Sequence, residues 1–397
     1  MISKRASSLA PSATMKITGL AKQMKREGRD VISLSAGEPD FKTPDYICEA
    51  AKKAIDDGHH GYTMNPGMPE LREAIAAKLK RDNNLDYSPA EIVVSNGAKQ
   101  SVGFSVLAVV DKGDEVIIPA PYWVSYTAMT ELAQGTPVVV RTAFENDFKI
   151  TPEQLEGAIT DKTKALILCS PSNPTGSSYS AEELRALADV LVKYPGVVVI
   201  SDEIYEYIVF ESKHVGIAEV APELRDRILV VNGFSKGFAM TGWRLGYVAG
   251  PKEMVGAVAK IQSQETSAPS SISQMAGIAA YTNDLSAVEA MRDSFKERRD
   301  FVVAGLNAIN GVSCFTPGGA FYAFPDVSAH FGKTAPDGTT ISTSTDLCLY
   351  LLENVEIATV PGDAFGEPNG IRLSYAISMD ELKEALKRLK HGLEALS

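Results

Sequence analysis

Lys236 and Arg244 share the segment Ile228–Gly246, ILVVNGFSKGFAMTGWRLG, where an apolar run delivers the lysine onto a loop of small residues. A second glycine-bearing loop carries the arginine. A lysine destined only for water has no need of that setting. An amine that is to form a Schiff base needs a rigid strand behind it and close backbone approach in front, which small residues permit. A nearby arginine suits a phosphate, because its planar fork makes paired charge-assisted hydrogen bonds. A strand end with two surface cations is the plainer alternative.

Other apolar runs end on groups of comparable promise. Val94 is followed by Ser95-Asn96-Gly97-Ala98-Lys99, small residues that open a helical run over Ser101–Val110. Free N–H groups at a helix start make a phosphate site, though the same residues also serve as a plain cap. Trp123, one of only two tryptophans, follows the run ending at Pro119; it suits stacking on an aromatic ring or packing between sheet and helix. Asn173 lies in the turn Asn173-Pro174-Thr175-Gly176, where its amide serves the turn or a ligand oxygen. Asp202 leaves a fully apolar run, and a carboxylate there is costly to bury without a partner. A protonated pyridine nitrogen is one such partner, with Tyr205 placed to donate to the ring oxygen; a helix cap is the alternative for Asp202.

The elements that position these groups alternate in a regular way. Apolar runs at 91–95, 115–119, 137–141, 165–170, 197–201, 228–231 and 246–249 are separated by amphipathic stretches such as Leu71–Lys80 and Ala181–Val192. This predicts an α/β fold whose large domain, 46–284, holds a mostly parallel seven-stranded sheet flanked by helices. Ligands of such sheets sit on loops beyond the carboxyl ends of the strands. After residue 285 a long charged helix, Ala287–Ile309, and shorter elements predict a smaller α+β domain made of both termini, 1–45 and 285–397. Val31–Leu34 then feeds the loop Ser35–Asp40, and Lys333–Thr345 reads as a mobile surface loop.

A length of 397 residues with 45% hydrophobic and 22% charged residues is an ordinary soluble composition. The net charge of −11 argues against a nucleic-acid surface but not against a locally positive site for an anion. Four scattered cysteines give no zinc spacing and no disulfide framework, which fits a reducing, cytoplasmic setting; Cys169 reads as a buried, inert thiol. No signal peptide and no membrane-spanning run are visible.

The segment around Lys236 and Arg244, the Asn173–Gly176 turn, the pair Asp202 and Tyr205, and Arg372-Leu373-Ser374-Tyr375 together resemble the fold-type I pyridoxal-phosphate aminotransferases. Within class I the chain is similar to the shorter bacterial aspartate aminotransferases, some of which also act on prephenate. The resemblance runs from about Ser12 to the C-terminus. It implies pyridoxal 5′-phosphate held by Lys236, with Asp202 on the pyridine nitrogen and Tyr205 and Asn173 on the ring hydroxyl. Trp123 would stack on the ring. Gly97, Ala98, Lys99, Ser235 and Arg244 would bind the phosphate. Arg372 would clamp the substrate α-carboxylate, with Gly37, Trp123 and Asn173 also lining the substrate.

The resemblance further implies a homodimer in which Tyr62 reaches the neighbouring subunit's phosphate. It implies that Lys99, helped by Ser12 and Thr14, holds the distal carboxylate, because Gln262–Ser267 carries no arginine for that task. The expected activity is exchange of the amino group of aspartate with 2-oxoglutarate. Prephenate or an aromatic keto acid is the first alternative acceptor. A fold-type I lyase or synthase would keep Lys236 without needing Lys99. A transcription regulator on the same fold would need an extra N-terminal basic DNA-binding module, and the roughly 45 residues before the large domain weigh against it.

Overall fold

The computed structural model describes residues 2–3, 7, 9 and 13–397. Its first strand, β1 (Ile32–Ser33), is followed by the seven strands of the main sheet. These are β2 (Ile92–Ser95), β3 (Glu115–Ala120), β4 (Thr136–Arg141), β5 (Thr163–Cys169), β6 (Val198–Asp202), β7 (Ile228–Gly233) and β8 (Gly246–Ala249). They pair in the order β2-β8-β7-β6-β5-β3-β4, and β8 alone runs antiparallel to its neighbours. The seven strands and the mostly parallel sheet match the expectation from the apolar runs.

Helices cover both faces, which is why the central strands are apolar throughout. Every residue of β6, β7 and β8 is buried. Val116, Ile118, Ile167, Ile200 and Val231 join one apolar cluster, while Ile117, Leu166, Leu168, Val199 and Val230 join the other, as the two-residue period of a strand requires. The first cluster continues into the C-terminal region through Phe321, Leu347 and Leu389.

Local signals set the helix starts. Ala181–Val192 and Met379–Glu394 each begin with a capping box, Ser180 with Glu183 and Ser378 with Glu381. The helix expected from Ser101 begins at Ala98, so Gly97 is its N-cap. At the other end of the chain β1 pairs in parallel with β10 (Ile357–Ala358), which ties the N-terminal segment to the C-terminal elements. There β9 (Tyr322–Ala323), β11 (Val360–Pro361) and β12 (Ile371–Ser374) form a second small sheet. The stretch 333–345 is held rather than free. Ala335 and Ile341 are buried, and Thr334 exchanges two backbone hydrogen bonds with Ser397.

The antiparallel β8 has a consequence for the site. Its first residue, Gly246, pairs with Ser95 of β2 and Gly233 of β7, at the carboxyl ends of those strands. Arg244, just before β8, therefore arrives at the same edge as the loops that follow the parallel strands. The approach is tight. A Cβ on Gly246 would lie 2.3 Å from the backbone N of Ala98 and 2.6 Å from the carbonyl carbon of Gly97. Backbone cannot yield there, so Gly246→Ala should destabilise by about 1–3 kcal/mol through overpacking. Gly256, whose Cβ would meet nothing within 4 Å on the helix Lys252–Glu265, is the control. Gly256→Ala should hold or raise the melting temperature while Gly246→Ala lowers it.

Candidate active site

The loop after β7 carries Lys236 inward, where its ammonium donates to the carbonyl of Gly37 at 2.5 Å. Gly37 belongs to the loop that follows β1, so this bond joins the main sheet to the N-terminal segment. Burial pushes the Lys236 pKa down to about 8; Arg372 and Arg244 push the same way, and Glu38 and Asp202 resist. An amine at that value is neutral in a useful fraction near neutral pH.

Asp202 ends β6, buried, with Oδ2 accepting from the Tyr126 hydroxyl at 2.7 Å and Oδ1 from the N–H of Ile204 at 3.3 Å. Burial raises its pKa to about 6, against the two hydrogen bonds that lower it. It is a carboxylate short of a cation. Cys169, at the end of β5, is partly rather than fully buried; its thiol, raised to about 12 mainly by burial, is inert.

Arg372 on β12 is buried and faces the same cleft. Its Nη1 donates to the amide oxygen of Asn173 at 2.9 Å and its Nη2 to the carbonyl of Ser35 at 2.8 Å. Its Nε is buried without a partner. The guanidinium carbon stands 4.5 Å from the Tyr322 ring centroid and 5.2 Å from that of Phe365. The Tyr322 hydroxyl meets that of Tyr205 at 2.9 Å, and Lys236 Nζ lies 5.8 Å from the Tyr205 ring centroid. Lys236, Tyr205, Tyr322, Arg372 and Asn173 thus form one connected group.

A second group lies at the β2–β8 edge. Gly97 has φ +84°, and a Cβ there would come within 2.6 Å of Nη2 of Arg244. Arg244 is exposed, donating to the carbonyls of Thr241 at 2.9 Å and Asn96 at 3.3 Å. Ser235 is buried beside Lys236. Lys99, in the first turn of the helix Ala98–Val109, has its ammonium 5.3 Å from the Trp123 ring centroid. Its pKa is lowered by partial burial and by Arg244. Trp123 meets Tyr126 edge-on, centroids 5.4 Å apart.

One expected residue stands apart. Tyr62 is fully exposed, at 103% of its reference area, and touches nothing in this cleft. Its loop is nonetheless fastened: Gln274 donates to Thr63 and accepts from the N–H of Met68, and Gln262 donates to the carbonyl of Asn65. Ser12 lies outside the described residues, as does the side chain of Thr14.

Sequence reasoning missed Tyr126, Tyr322 and Ser35. Tyr126 follows Trp123 closely, but nothing local announces the distant partners of Tyr126 or Tyr322. Among the described residues Glu203, Glu206 and His214 come close enough to share a metal ion. Lys78 already stands on Glu206 and His214 on Glu203.

The family profile described as aminotransferase class I and II matches residues 29–389. The chain is 51% identical to an aspartate aminotransferase of Pinus pinaster, over 99% of this chain and 80% of that one. It is 50% identical to a bifunctional aspartate aminotransferase and glutamate/aspartate-prephenate aminotransferase of Petunia hybrida, over 99% and 82%. The crystal structure of the aspartate aminotransferase from Rhizobium meliloti superimposes with a TM-score of 0.97 at 47% identity, covering all of both chains.

The Asp202 carboxyl gives a prediction free of any ligand. Its folded pKa of about 6 lies above the ordinary 3.8. Its contribution to stability is therefore fully present below the ordinary value and is lost as pH rises through about 6. In the ligand-free protein the stability of wild type relative to Asp202→Asn should fall between about pH 4 and 6 and then level off. Denaturant melts of both proteins across that range measure it; a constant difference would mean that Asp202 is not held unpaired in a buried site.

Proposed function

The chain belongs to the class I and II aminotransferase family, and on that premise we propose that it transfers the amino group of aspartate to 2-oxoglutarate, giving oxaloacetate and glutamate, with pyridoxal 5′-phosphate as cofactor. The observation that carries this reading is the meeting in one cleft of an amine near 8, a buried carboxylate near 6 and a buried guanidinium with an unpartnered Nε. The residues fit the cofactor. Asp202 lacks a cation, and the Arg244 guanidinium lies so close to Gly97 that a Cβ there would come within 2.6 Å of its Nη2, which only glycine allows.

When bound, pyridoxal 5′-phosphate supplies an electron sink for the charge left as a proton departs the amino acid Cα. Asp202 holds the positive charge of the ring nitrogen, and Tyr205 and Asn173 take the ring hydroxyl. Trp123 covers a ring face. Gly97, Ala98, Lys99, Ser235 and Arg244 bind the phosphate, joined by Tyr62 of the partner subunit. Arg372 clamps the α-carboxylate, for which its Nε is available, and Gly37 and Asn173 border the same substrate. Lys236 Nζ, neutral in part near neutral pH, would be the base that takes the proton from the substrate Cα and later returns one.

Lys99, with Ser12 and Thr14, holds the distal carboxylate. Prephenate also carries two carboxylates, and the Petunia hybrida relative's name includes it, so prephenate is the second acceptor in this reading. We take 46–284 as the cofactor-binding domain and 1–45 with 285–397 as the smaller one, supported by the pairing of β1 with β10. We place the protein in the cytoplasm as a homodimer. All four cysteines are unpaired, which suits a reducing compartment, and no helix among the described residues is long and apolar enough to cross a membrane. The fastened loop with its exposed Tyr62 and Met64 is the surface a partner subunit would cover.

Lys236→Ala should bind the cofactor yet lose transamination by several orders of magnitude; near-wild-type turnover would remove Lys236 from its role. Mixed dimers of Lys236→Ala with Tyr62→Phe should regain one whole site, because each variant lacks what the other supplies. Activity of the mixture no higher than that of its parents would sink the shared site.

Lys99 separates dicarboxylates from monocarboxylates. Its ammonium is costly to desolvate unless an anion arrives. Lys99→Met should cut kcat/KM for aspartate, and for glutamate with prephenate, by about ten- to two-hundredfold, the value of a charge-assisted hydrogen bond of about 1.5–3 kcal/mol. Alanine should be little affected. A uniform loss on all three would leave Lys99 with the phosphate alone and remove it from the distal carboxylate.

A further inference from the structure

We propose that Tyr322 is a positioning residue that acts on both partners of the reaction: its hydroxyl donates to Tyr205 and so turns the Tyr205 proton toward the cofactor, while its ring seats Arg372 for the substrate carboxylate. This rests on the transaminase reading above and adds to it a residue with no role there.

The geometry supplies both halves. Tyr322, on β9, is completely buried, and its hydroxyl stands 2.9 Å from that of Tyr205. Each phenol has a single proton to give. If Tyr205 donates to Tyr322, it has none for a ligand; if Tyr322 donates, the Tyr205 proton is left to point elsewhere. Which one donates is decided by relative acidity, since the more acidic hydroxyl is the better donor. Arg372 stands 4.5 Å from the Tyr322 ring centroid and lowers its pKa against burial. The cation beside the Tyr205 ring, Lys236 Nζ, stands farther off, 5.8 Å from its centroid, and is neutral in part, so it draws less on the Tyr205 phenol than Arg372 does on that of Tyr322. Tyr322 is therefore the donor of the neutral pair. The proton order runs from Tyr322 to Tyr205 to the ligand oxygen.

The other half is mechanical. Arg372 is fixed at two corners, by Asn173 and by the carbonyl of Ser35, and its flat side rests between Tyr322 and Phe365. A guanidinium stacked on aromatic rings keeps its plane and its donors in place. β9 pairs directly with β12 at Ser374↔Tyr322 and Leu373↔Ala323, so the two side chains are set by one short piece of sheet. A shift of β9 would move the Tyr205 bond and the arginine seat together.

The two halves come apart on substitution, which makes the idea testable in the cofactor-loaded enzyme. Tyr322→Phe keeps the ring and loses the donor. A weaker Tyr205 bond leaves the cofactor ring oxygen more basic, so the pH midpoint of the cofactor chromophore should move up by about 0.5–1 unit, the range of a neutral hydrogen bond. Binding of succinate, an unreactive dicarboxylate, should stay within about twofold of wild type, well inside the factor of ten that one unit represents. Tyr322→Leu should show the same midpoint shift and also weaken succinate by about threefold or more, as loss of a cation–π contact predicts.

Tyr205→Phe is the reference. It should shift the midpoint further, and adding Tyr322→Phe to it should produce no additional shift, because Tyr322 acts through Tyr205. A midpoint unmoved by Tyr322→Phe where Tyr205→Phe moves it would overturn the proton order. Additive shifts would do the same. Equal weakening of succinate by the Phe and Leu variants would overturn the seating of Arg372. If Tyr205→Phe also leaves the midpoint unmoved, and Lys236→Ala loads the same chromophore as wild type, the transaminase reading itself fails rather than this extension of it.

Discussion

Lys236, Asp202 and Arg372 are three ionisable groups withdrawn from water into one cleft, and the cost of their desolvation is the constraint around which the fold is arranged. No pair of them forms a direct salt bridge. Lys236 donates to a backbone carbonyl, Asp202 accepts from a tyrosine and a backbone N–H, and Arg372 donates to an amide and a carbonyl. Were Lys236 and Asp202 to pair directly, the amine would be held charged and the carboxylate neutralised, and neither would be available to a ligand. Burial, which neutral partners offset only in part, drops the amine to about 8 and lifts the carboxylate to about 6.

Holding unsatisfied charges apart needs a rigid frame. The parallel sheet provides it, because its central strands are buried on both faces and have no freedom to shift toward one another. Asp202 is fixed as the last residue of β6, and Lys236 follows the neighbouring β7 on a loop kept short by small residues. The reversed β8 brings Arg244 back to the same edge. From outside that sheet, β12 and the loop after β1 deliver Arg372, Gly37 and Ser35. The catalytic geometry is therefore a joint between two regions of the chain, closed by few bonds: Lys236 to Gly37, Arg372 to Asn173, and Tyr205 to Tyr322.

What was legible in the chain beforehand follows from how far apart the interacting residues lie. Lys236 could be read because its strand, its small-residue loop and Arg244 are neighbours in sequence, and Asp202 because a carboxylate at the end of an apolar run is conspicuous. The sheet could be read because every strand announces itself within a few residues. Tyr126 could not, since its partner Asp202 is 76 positions away, nor could Tyr322, 117 positions from Tyr205. The contact between Asn173 and Arg372 spans 199 positions, so their association came from a family resemblance and not from spacing. Tyr62 marks another boundary. In the proposed homodimer its exposure marks a surface that a second copy of the chain covers, a kind of information that periodicity does not carry.

The incomplete satisfaction of the cleft also bears on stability. A buried guanidinium nitrogen without a partner and a buried carboxylate without a cation each cost the folded state free energy, about 1–3 kcal/mol for an unmet polar group and more where charge is involved. Ordinary core packing would remove that cost, and the sheet clearly has the apolar surface to do so. On the proposed reading the cost is retained because the missing partners belong to the ligands: a ring nitrogen for Asp202, a carboxylate for Arg372. Binding then satisfies the groups that folding left open, and the free energy withheld during folding reappears as affinity and as added stability of the loaded protein. On this view the unsatisfied electrostatics of the cleft and its capacity to bind are one property.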